Sequence, residues 1–226
     1  MELNRIYNED CLEGIGRIPT GSIQTVICDP PYFCGMTHNG RKGTFGDLNV
    51  SKPFFSTLFR EIARVLTGTG CVYWFCDWRT EGFYFPLLTL HVPVMNVLVW
   101  DKGAGPGNFY TSEHEMVIFA TKNTQFRCKG ARNVLRGIPA FCSGAKRTNG
   151  EMVHPTQKPV ELIARLITDS TAEGDTVLDC FMGSGTTAVA ALRTGRRFVG
   201  FEIDENYHAI ALRRIEQERA QLKIEL

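Results

Sequence analysis

Two periodicities alternate along the chain. Short apolar runs, β-branched in Thr25–Cys28 and aromatic in Cys71–Cys76, are bounded by polar residues and read as strands buried on both faces. Between them "FFSTLFREIARVLTGTG" sets Phe55, Leu58, Phe59, Ile62 and Leu66 on one helical face, with Gly68 and Gly70 past its end. In chain order the pattern predicts a short strand in "RIYNED", a strand in "TVICD", that helix, and a buried strand in "CVYWFCD". Two β-rich runs follow, "VPVMNVLVWDK" and "HEMVIFATK", joined by "GAGPGNFYTSE", which is too long for a tight turn. Residues 122–150 lose their period and read as a loop-like insertion. Order returns with a helix in "PVELIARLITDST", where Pro159 suits the first helical position. The chain then predicts a strand in "DTVLDCF", a helix in "TTAVAALRTG" ending at Gly195, a strand in "RFVGFEID", and a last helix capped by Asp204 or Asn206. Strands alternating with helices imply an α/β fold: a mostly parallel, twisted sheet with helices on both faces. Ligands of such sheets bind beyond the carboxyl ends of the strands, where Asp10, Asp29 and Asp179 fall.

Composition narrows the class. A chain of 226 residues with 43% hydrophobic and 22% charged residues suits one globular α/β domain. No apolar run is long enough to span a bilayer, and "MELNRIYNED" is too polar for a signal peptide, so a cytoplasmic location is expected. The 8 cysteines form no C-x-x-C pair, so they read as small buried hydrophobes, and no metal site is expected. The net charge is only +1, but from Lys122 to Gly150 there are basic residues and no Asp or Glu, an electrostatic footprint suited to a polyanion.

Chemistry concentrates in three stretches. In "VLDCFMGSGTTAVAALRTGRRFVGFEID", Gly183-Ser184-Gly185 opens a helix directly after a strand, and Glu202 ends the next strand, where it can accept hydrogen bonds from ribose hydroxyls. That layout serves a dinucleotide or S-adenosylmethionine, so a nicotinamide-dependent oxidoreductase is a rival reading. In "HPTQKP", Thr156, Gln157 and Lys158 bring a hydroxyl, an amide and an ammonium to a helix start, a place that favours anions such as an α-carboxylate.

The third stretch is "TVICDPPYFCGM". Here a strand ends at Asp29, and Pro30 and Pro31 lock the backbone without offering donors. The Asp29 carboxylate and the Pro30 carbonyl make two acceptors that converge on one point. An exocyclic amino group has two N–H donors and a lone pair delocalised into its ring. Gripping both hydrogens localises that lone pair and stabilises the transition state more than the ground state. Tyr32 supplies a ring on which a base can stack, and a base paired in a duplex must be flipped out to reach it.

"DPPY" at Asp29–Tyr32, "HPTQKP" at His154–Pro159, "DCFMGSGTT" at Asp179–Thr187 and "FEID" at Phe201–Asp204 together resemble the β-group of S-adenosylmethionine-dependent amino-DNA methyltransferases. The resemblance covers nearly the whole chain and is weakest from 122 to 150. It implies a circularly permuted, Rossmann-like methyltransferase fold: one catalytic domain over 1–226 with a target-recognition region inserted at about 103–150. It also implies methyl transfer from S-adenosylmethionine to an amino group of a base flipped out of double-stranded DNA. Asp at the first motif position is usual for adenine N6 and Ser for cytosine N4, so Asp29 favours adenine, with cytosine N4 the alternative.

The resemblance further implies site roles. Asp29, Pro30, Pro31 and Tyr32 would be catalytic, with Asp29 also bordering the cofactor. Asp10, Cys11 and Phe181 would surround the cofactor's adenine, and Glu202 would bind its ribose. Asp179, Thr186, Lys158 and Thr156 would hold the methionine end beside the Gly183, Ser184 and Gly185 turn. Arg41 and Lys42 would sit on a loop closing on DNA, with Arg127, Lys129, Arg132, Arg136, Lys146 and Arg147 forming the basic patch. A separately encoded restriction endonuclease and a second copy of the chain are the further partners it suggests.

Overall fold

The structure, a computed structural model, describes residues 1–31, 37–38, 41–42, 48–103, 105, 109–123, 131–139, 147–148, 151–152 and 157–224. The N-terminal elements are β1 (Arg5–Tyr7), α1 (Cys11–Ile15), β2 (Ile23–Cys28), β3 (Thr37–His38), β4 (Arg41–Lys42), α2 (Leu48–Val65), β5 (Leu66–Cys76) and α3 (Glu81–Thr89). The middle of the chain gives β6 (Val94–Asp101), β7 (His114–Thr121), β8 (Val134–Leu135), β9 (Arg147–Thr148) and β10 (Glu151–Met152). The rest is α4 (Val160–Ser170), β11 (Thr176–Asp179), α5 (Thr186–Arg193), β12 (Arg197–Phe201) and α6 (Glu205–Ile224).

Eight strands form one sheet in the order β1-β12-β11-β2-β5-β7-β6-β8. β7 is antiparallel to both its neighbours, and every other pairing is parallel. The strands are apolar on both sides because both sides are covered. Val26, Val72, Trp74 and Cys76 pack with Cys11, Ile15, Phe55, Phe59 and Leu88 from α1–α3. Ile27, Tyr73, Phe75 and Val177 pack with Leu162, Ile163, Ala190 and Ile215 from α4–α6. Burying one such Leu or Ile side chain contributes about 1.5–3 kcal/mol, so the single face of α4 that carries Leu162, Ile163, Leu166 and Ile167 is enough to fix that helix on the sheet. The α/β architecture with helices on both faces is therefore as expected.

Four boundaries differ from the sequence reading. β5 starts at Leu66, directly after α2, so Gly68 and Gly70 lie in a strand rather than in a turn. A Cβ at Gly70 would lie 3.1 Å from the Gln24 carbonyl, beside the irregular pairing between Ile23 and Thr25. Pro159 precedes the first helical residue of α4, with ψ 136°, instead of being that residue. α2 begins at Leu48 and carries Pro53 inside it. In the stretch expected to be loop-like, Val134 and Leu135 pair with Val99 and Trp100 and extend the sheet. The last helix is capped by Asp204, which accepts from the Asn206 and Tyr207 backbone N–H groups at 2.8 and 3.1 Å.

Candidate active site

The carboxyl ends of β1, β12, β11 and β2 lie side by side, and each leads into at least one acidic residue. After β1, Asp10 caps α1 by accepting from the Leu12 N–H at 2.7 Å, and Cys11 starts that helix, buried. After β12, the Glu202 N–H donates to the Tyr7 carbonyl at 3.0 Å, while its carboxylate accepts from Gly183 N–H at 2.7 Å and Asp204 N–H at 2.9 Å. Asp179 ends β11 and accepts from Phe181 N–H at 2.9 Å and the Thr187 hydroxyl at 2.6 Å. Asp29 follows β2. From β11 the chain crosses through α5 outward to β12, and from β2 through α2 outward in the other direction to β5. Strand order therefore reverses between β11 and β2, and the crevice at such a reversal is where open α/β sheets bind ligands. Asp179 and Asp29 flank it.

The glycine turn closes the floor. Gly183 has φ +53° and Gly185 φ +86°, the left-handed region that side chains disfavour. A Cβ at Gly185 would meet the Ala211 Cβ at 2.9 Å and Cα at 3.1 Å, so the turn lets α5 start tight against α6. Arg214 of α6 reaches back to donate to the Ser184 carbonyl at 2.6 Å, the Ser184 hydroxyl at 3.0 Å and the Thr186 hydroxyl at 3.4 Å. Burial, aided by Arg193 nearby, lowers the Arg214 guanidinium to about 10. Ser184 Oγ also lies 3.3 Å from Gln157 Oε1, which ties the turn to the segment before α4. Phe181 is half-buried and packs edge-on against Trp74, ring centres 5.9 Å apart.

The electrostatics are those of buried acid. Burial pushes the Asp179 carboxyl up to about 7, against the lowering effect of its bonds from Thr187 and Phe181. Glu202 is raised, again chiefly by burial. Burial also raises the Cys11 thiol, which fits packing rather than nucleophilic chemistry. Lys158, only 5% exposed, lies with its ammonium 2.7 Å from Asp29 Oδ2 and 2.9 Å from Glu115 Oε2. Burial pulls that ammonium down, but the two carboxylates outweigh it and the net shift is upward. Glu115 takes part because antiparallel β7 brings its first residues to the edge where the parallel strands end. Lys102 lies 3.4 Å from the other Glu115 oxygen.

Thr187, Arg214 and Glu115 were not singled out from the sequence. For Glu115 the available signal was a lone acid inside the apolar run "HEMVIFATK".

The remaining expected site residues divide between described and undescribed parts of the chain. Tyr32, Thr156, Arg127, Lys129 and Lys146 lie outside the described residues. Arg41 and Lys42 form β4, antiparallel to β3, and Arg147 lies in β9, paired with Met152. Pro30 is buried and Pro31 exposed. Arg132 and Arg136 line a cleft of about 400 Å³ together with Arg165 of α4, and Arg136 lies 3.6 Å from Asp101. Lys122 is not among the residues that line that cleft. Its ammonium donates to the Ala63 and Leu66 carbonyls at 2.6 and 3.3 Å and closes the end of α2. Among the described residues no group of three or more His, Cys, Asp or Glu could hold a metal ion.

This edge suits a ligand with hydroxyls and positive charge. Asp10, Glu202 and Asp179 present acceptors in a row, and the carboxylate oxygens keep further lone pairs beyond the bonds they already accept. A pyrophosphate would meet repulsion there, whereas ribose hydroxyls and the cationic methionine end of S-adenosylmethionine would not. Fold and site thus suit a protein that binds a nucleoside cofactor. The chain belongs to the DNA methylase family of the N6/N4 amino-methyltransferase type, whose pattern it matches over residues 23–213.

Type II methyltransferase M.HinfI of Haemophilus influenzae is 27% identical over 252 residues, which cover 95% of this chain and 69% of that protein. The M1.HpyAVI–SAM complex superposes with a TM-score of 0.70 at 25% identity, over 93% of this chain and 98% of that one. PvuII DNA methyltransferase, which is cytosine-N4-specific, superposes with a TM-score of 0.70 at 19% identity, over 92% and 85% of the two chains. The chain is a DNA amino-methyltransferase of the permuted, Rossmann-like class, and S-adenosylmethionine is its cofactor. Among the described residues no helix is long and apolar enough to cross a membrane.

Proposed function

We propose that this chain methylates the N6 amino group of adenine in double-stranded DNA. The observation that carries the reading is the Asp29-Pro30-Pro31 segment at the carboxyl end of β2, beside Asp179 at the strand-order reversal, with Asp29 held by a buried Lys158. Bound S-adenosylmethionine supplies a methyl group on a sulfonium, and the carbon–sulfur bonding pair returns to sulfur as the amino nitrogen takes the methyl. Asp29 accepts one amino N–H and carries negative charge beside a nitrogen that becomes positive. The Pro30 carbonyl accepts the other N–H from a backbone that Pro31 stiffens. The extra proton then leaves the nitrogen for solvent. Asp10, Cys11, Phe181 and Glu202 take the nucleoside end of the cofactor. Asp179, the Gly183–Gly185 turn, Thr186 and Thr156 take the methionine end.

The stacking platform for the flipped base is Tyr32. The region 103–150 reads the target sequence, with Arg132 and Arg136 on phosphates. Adenine is favoured over cytosine because an aspartate, and not a serine, opens the catalytic motif. The cytosine-N4 reading is kept alive by the fold shared with PvuII DNA methyltransferase. The type II designation of M.HinfI supports a separately encoded restriction endonuclease as partner.

Incubating the protein with plasmid DNA and methyl-labelled S-adenosylmethionine, followed by nucleoside mass spectrometry, tests the reading. Label in N6-methyladenine is expected. Label only in N4-methylcytosine would refute the choice of base. An Asp29→Ala variant is expected to bind cofactor and transfer no methyl, and near-native turnover by it would overturn the two-acceptor mechanism.

A further inference from the structure

Lys158 is expensive to bury. Desolvating an ammonium costs several kcal/mol, and an apolar side chain of the same volume usually serves stability as well or better. Yet its side chain is 6% exposed and touches two carboxylates from different parts of the sheet, Asp29 after β2 and Glu115 on β7. Lys102, beyond the end of β6, continues the line by pairing with the far oxygen of Glu115 at 3.4 Å. The result is a run of alternating charge, Lys102–Glu115–Lys158–Asp29, that ends on the proposed catalytic carboxylate.

That carboxylate belongs to a segment outside regular structure. Pro30 and Pro31 fix the backbone that follows it, but a backbone constraint does not set the direction of the Asp29 carboxylate. The ammonium at 2.7 Å supplies that second constraint. Glu115 in turn holds the ammonium from the other side at 2.9 Å, so Lys158 cannot swing with a mobile partner. The Phe75 ring, 5.3 Å from the ammonium, makes one wall of its pocket.

We propose that Lys158 is a positioning residue for the methyl-transfer step, which aims the Asp29 carboxylate at the target amino group, and that Glu115 serves that step by holding Lys158. This rests on the methyltransferase reading above. It gives Lys158 a different task from the one implied by motif resemblance, a contact to the methionine end of the cofactor. Two of the three ammonium N–H donors already face Asp29 and Glu115.

The two tasks separate cleanly by experiment. Lys158→Met, Lys158→Arg and Glu115→Gln are compared with the native protein in three measurements: cofactor affinity by calorimetry, single-turnover methyl transfer to duplex DNA, and the crystal structure of the variant. Positioning predicts a transfer rate lower by about 100-fold for Lys158→Met, partial rescue by Lys158→Arg, and a smaller loss for Glu115→Gln. Cofactor affinity should stay within about threefold, and the Asp29 carboxylate should change its direction in the crystal. A cofactor affinity that falls in step with the rate would overturn the inference and return Lys158 to the cofactor. A native rate in Lys158→Met, or an unmoved Asp29, would also overturn it. If Lys158→Met does not fold, Glu115→Gln, which keeps shape and volume, decides by the same readouts. No transfer by the native protein on any DNA would instead refute the proposed function, and the crystal structures of the variants would still report whether Lys158 directs Asp29.

Discussion

Asp179 offers a test that reads the site's electrostatics without any substrate. Its carboxyl is pushed up to about 7 from an ordinary value of 3.8, with burial the largest cause. The native state therefore binds the proton more tightly than the unfolded chain does. Between pH 3.8 and about 7 the folded protein carries the proton and the unfolded chain has lost it, so stability falls as pH rises through this window and levels off above it. Across that window of about 3 pH units, at about 1.4 kcal/mol per pH unit, the full swing is at most about 4 kcal/mol.

Asp179→Asn removes the charge and keeps the shape. The amide oxygen can accept from Phe181 N–H, and the amide nitrogen can donate to the Thr187 hydroxyl, which then turns to accept. Urea unfolding of both proteins at pH 5, 6, 7 and 8 is the assay. The variant is expected to be more stable than the native protein at pH 8 by about 2–4 kcal/mol, with the difference shrinking toward pH 5. Glu202 is also raised, chiefly by burial that both proteins share, so its titration contributes to the difference only through its weaker repulsion with Asp179. A difference that does not depend on pH, or a variant less stable at pH 8, would refute the reasoning. If Asp179 holds the cationic end of the cofactor, the same variant also binds S-adenosylmethionine more weakly. The acid would then be retained at a cost to stability, as site residues often are.

Gly185→Ala combines left-handed backbone strain with an overlap against Ala211, and should lower unfolding free energy by about 2–5 kcal/mol. Gly174→Ala has a similar φ, +78°, with nothing within 4 Å, and should lose only about 1–2 kcal/mol; equal losses would remove the role assigned to the α5–α6 packing. Cys11, Cys28, Cys71, Cys76 and Cys180 are buried and free, and burial raises Cys71 to about 11 and Cys76 to about 12. Peptide mapping after brief alkylation of the folded protein should therefore leave these five unlabelled, and labelling of any of them at the rate of a free thiol would contradict that burial. Replacing Arg132, Arg136 and Arg165 together by Ala should flatten the salt dependence of DNA affinity, by up to about 1 in the log–log slope for each phosphate no longer neutralised. An unchanged slope would move the DNA path off this cleft.

What could be read from the sequence was whatever local chemistry determines. β2 and β11 announce themselves as short runs with β-branched residues, β12 by Phe198, Val199 and Phe201, and the turn at Gly183–Gly185 by glycines that its positive φ values require. α3 was not legible, because "EGFYFPLLT" is apolar nearly all round and contains Pro86, so no helical stripe exists to be seen. It folds as a helix because Tyr84 and Phe83 fit edge-on against Phe55, with ring centres 5.0 and 6.0 Å apart. α1, with 5 residues, is too short to show a period. Glu115 and Arg214 acquire their roles from partners 43 and about 30 positions away along the chain, Lys158 and the Ser184 turn, and no local pattern carries such information.

The permuted order of the motifs does not disturb the site, because the sheet joins strands by register and not by chain order. Cys180 N–H donates to Cys28 Sγ at 3.4 Å across 152 positions, and so sets the end of β2 beside the end of β11. The same logic ties β1 to β12. Glu202 N–H reaches the Tyr7 carbonyl, Asn8 donates to the Glu202 carbonyl at 2.8 Å, and Asn4 N–H donates to the Phe198 carbonyl at 2.7 Å. Asp10 and Glu202, proposed to hold opposite edges of the cofactor's adenosine, thus come from segments that meet only when the whole sheet has formed. A ligand that bridges them binds the complete sheet and neither half alone. Its binding free energy must then appear as global stabilisation, growing with the logarithm of ligand concentration. Amide exchange in β1 and β11 should slow by the same factor when S-adenosylhomocysteine is added. Protection confined to β11 and the glycine turn would mean that β1 opens independently, and that the adenosine is held from one side only.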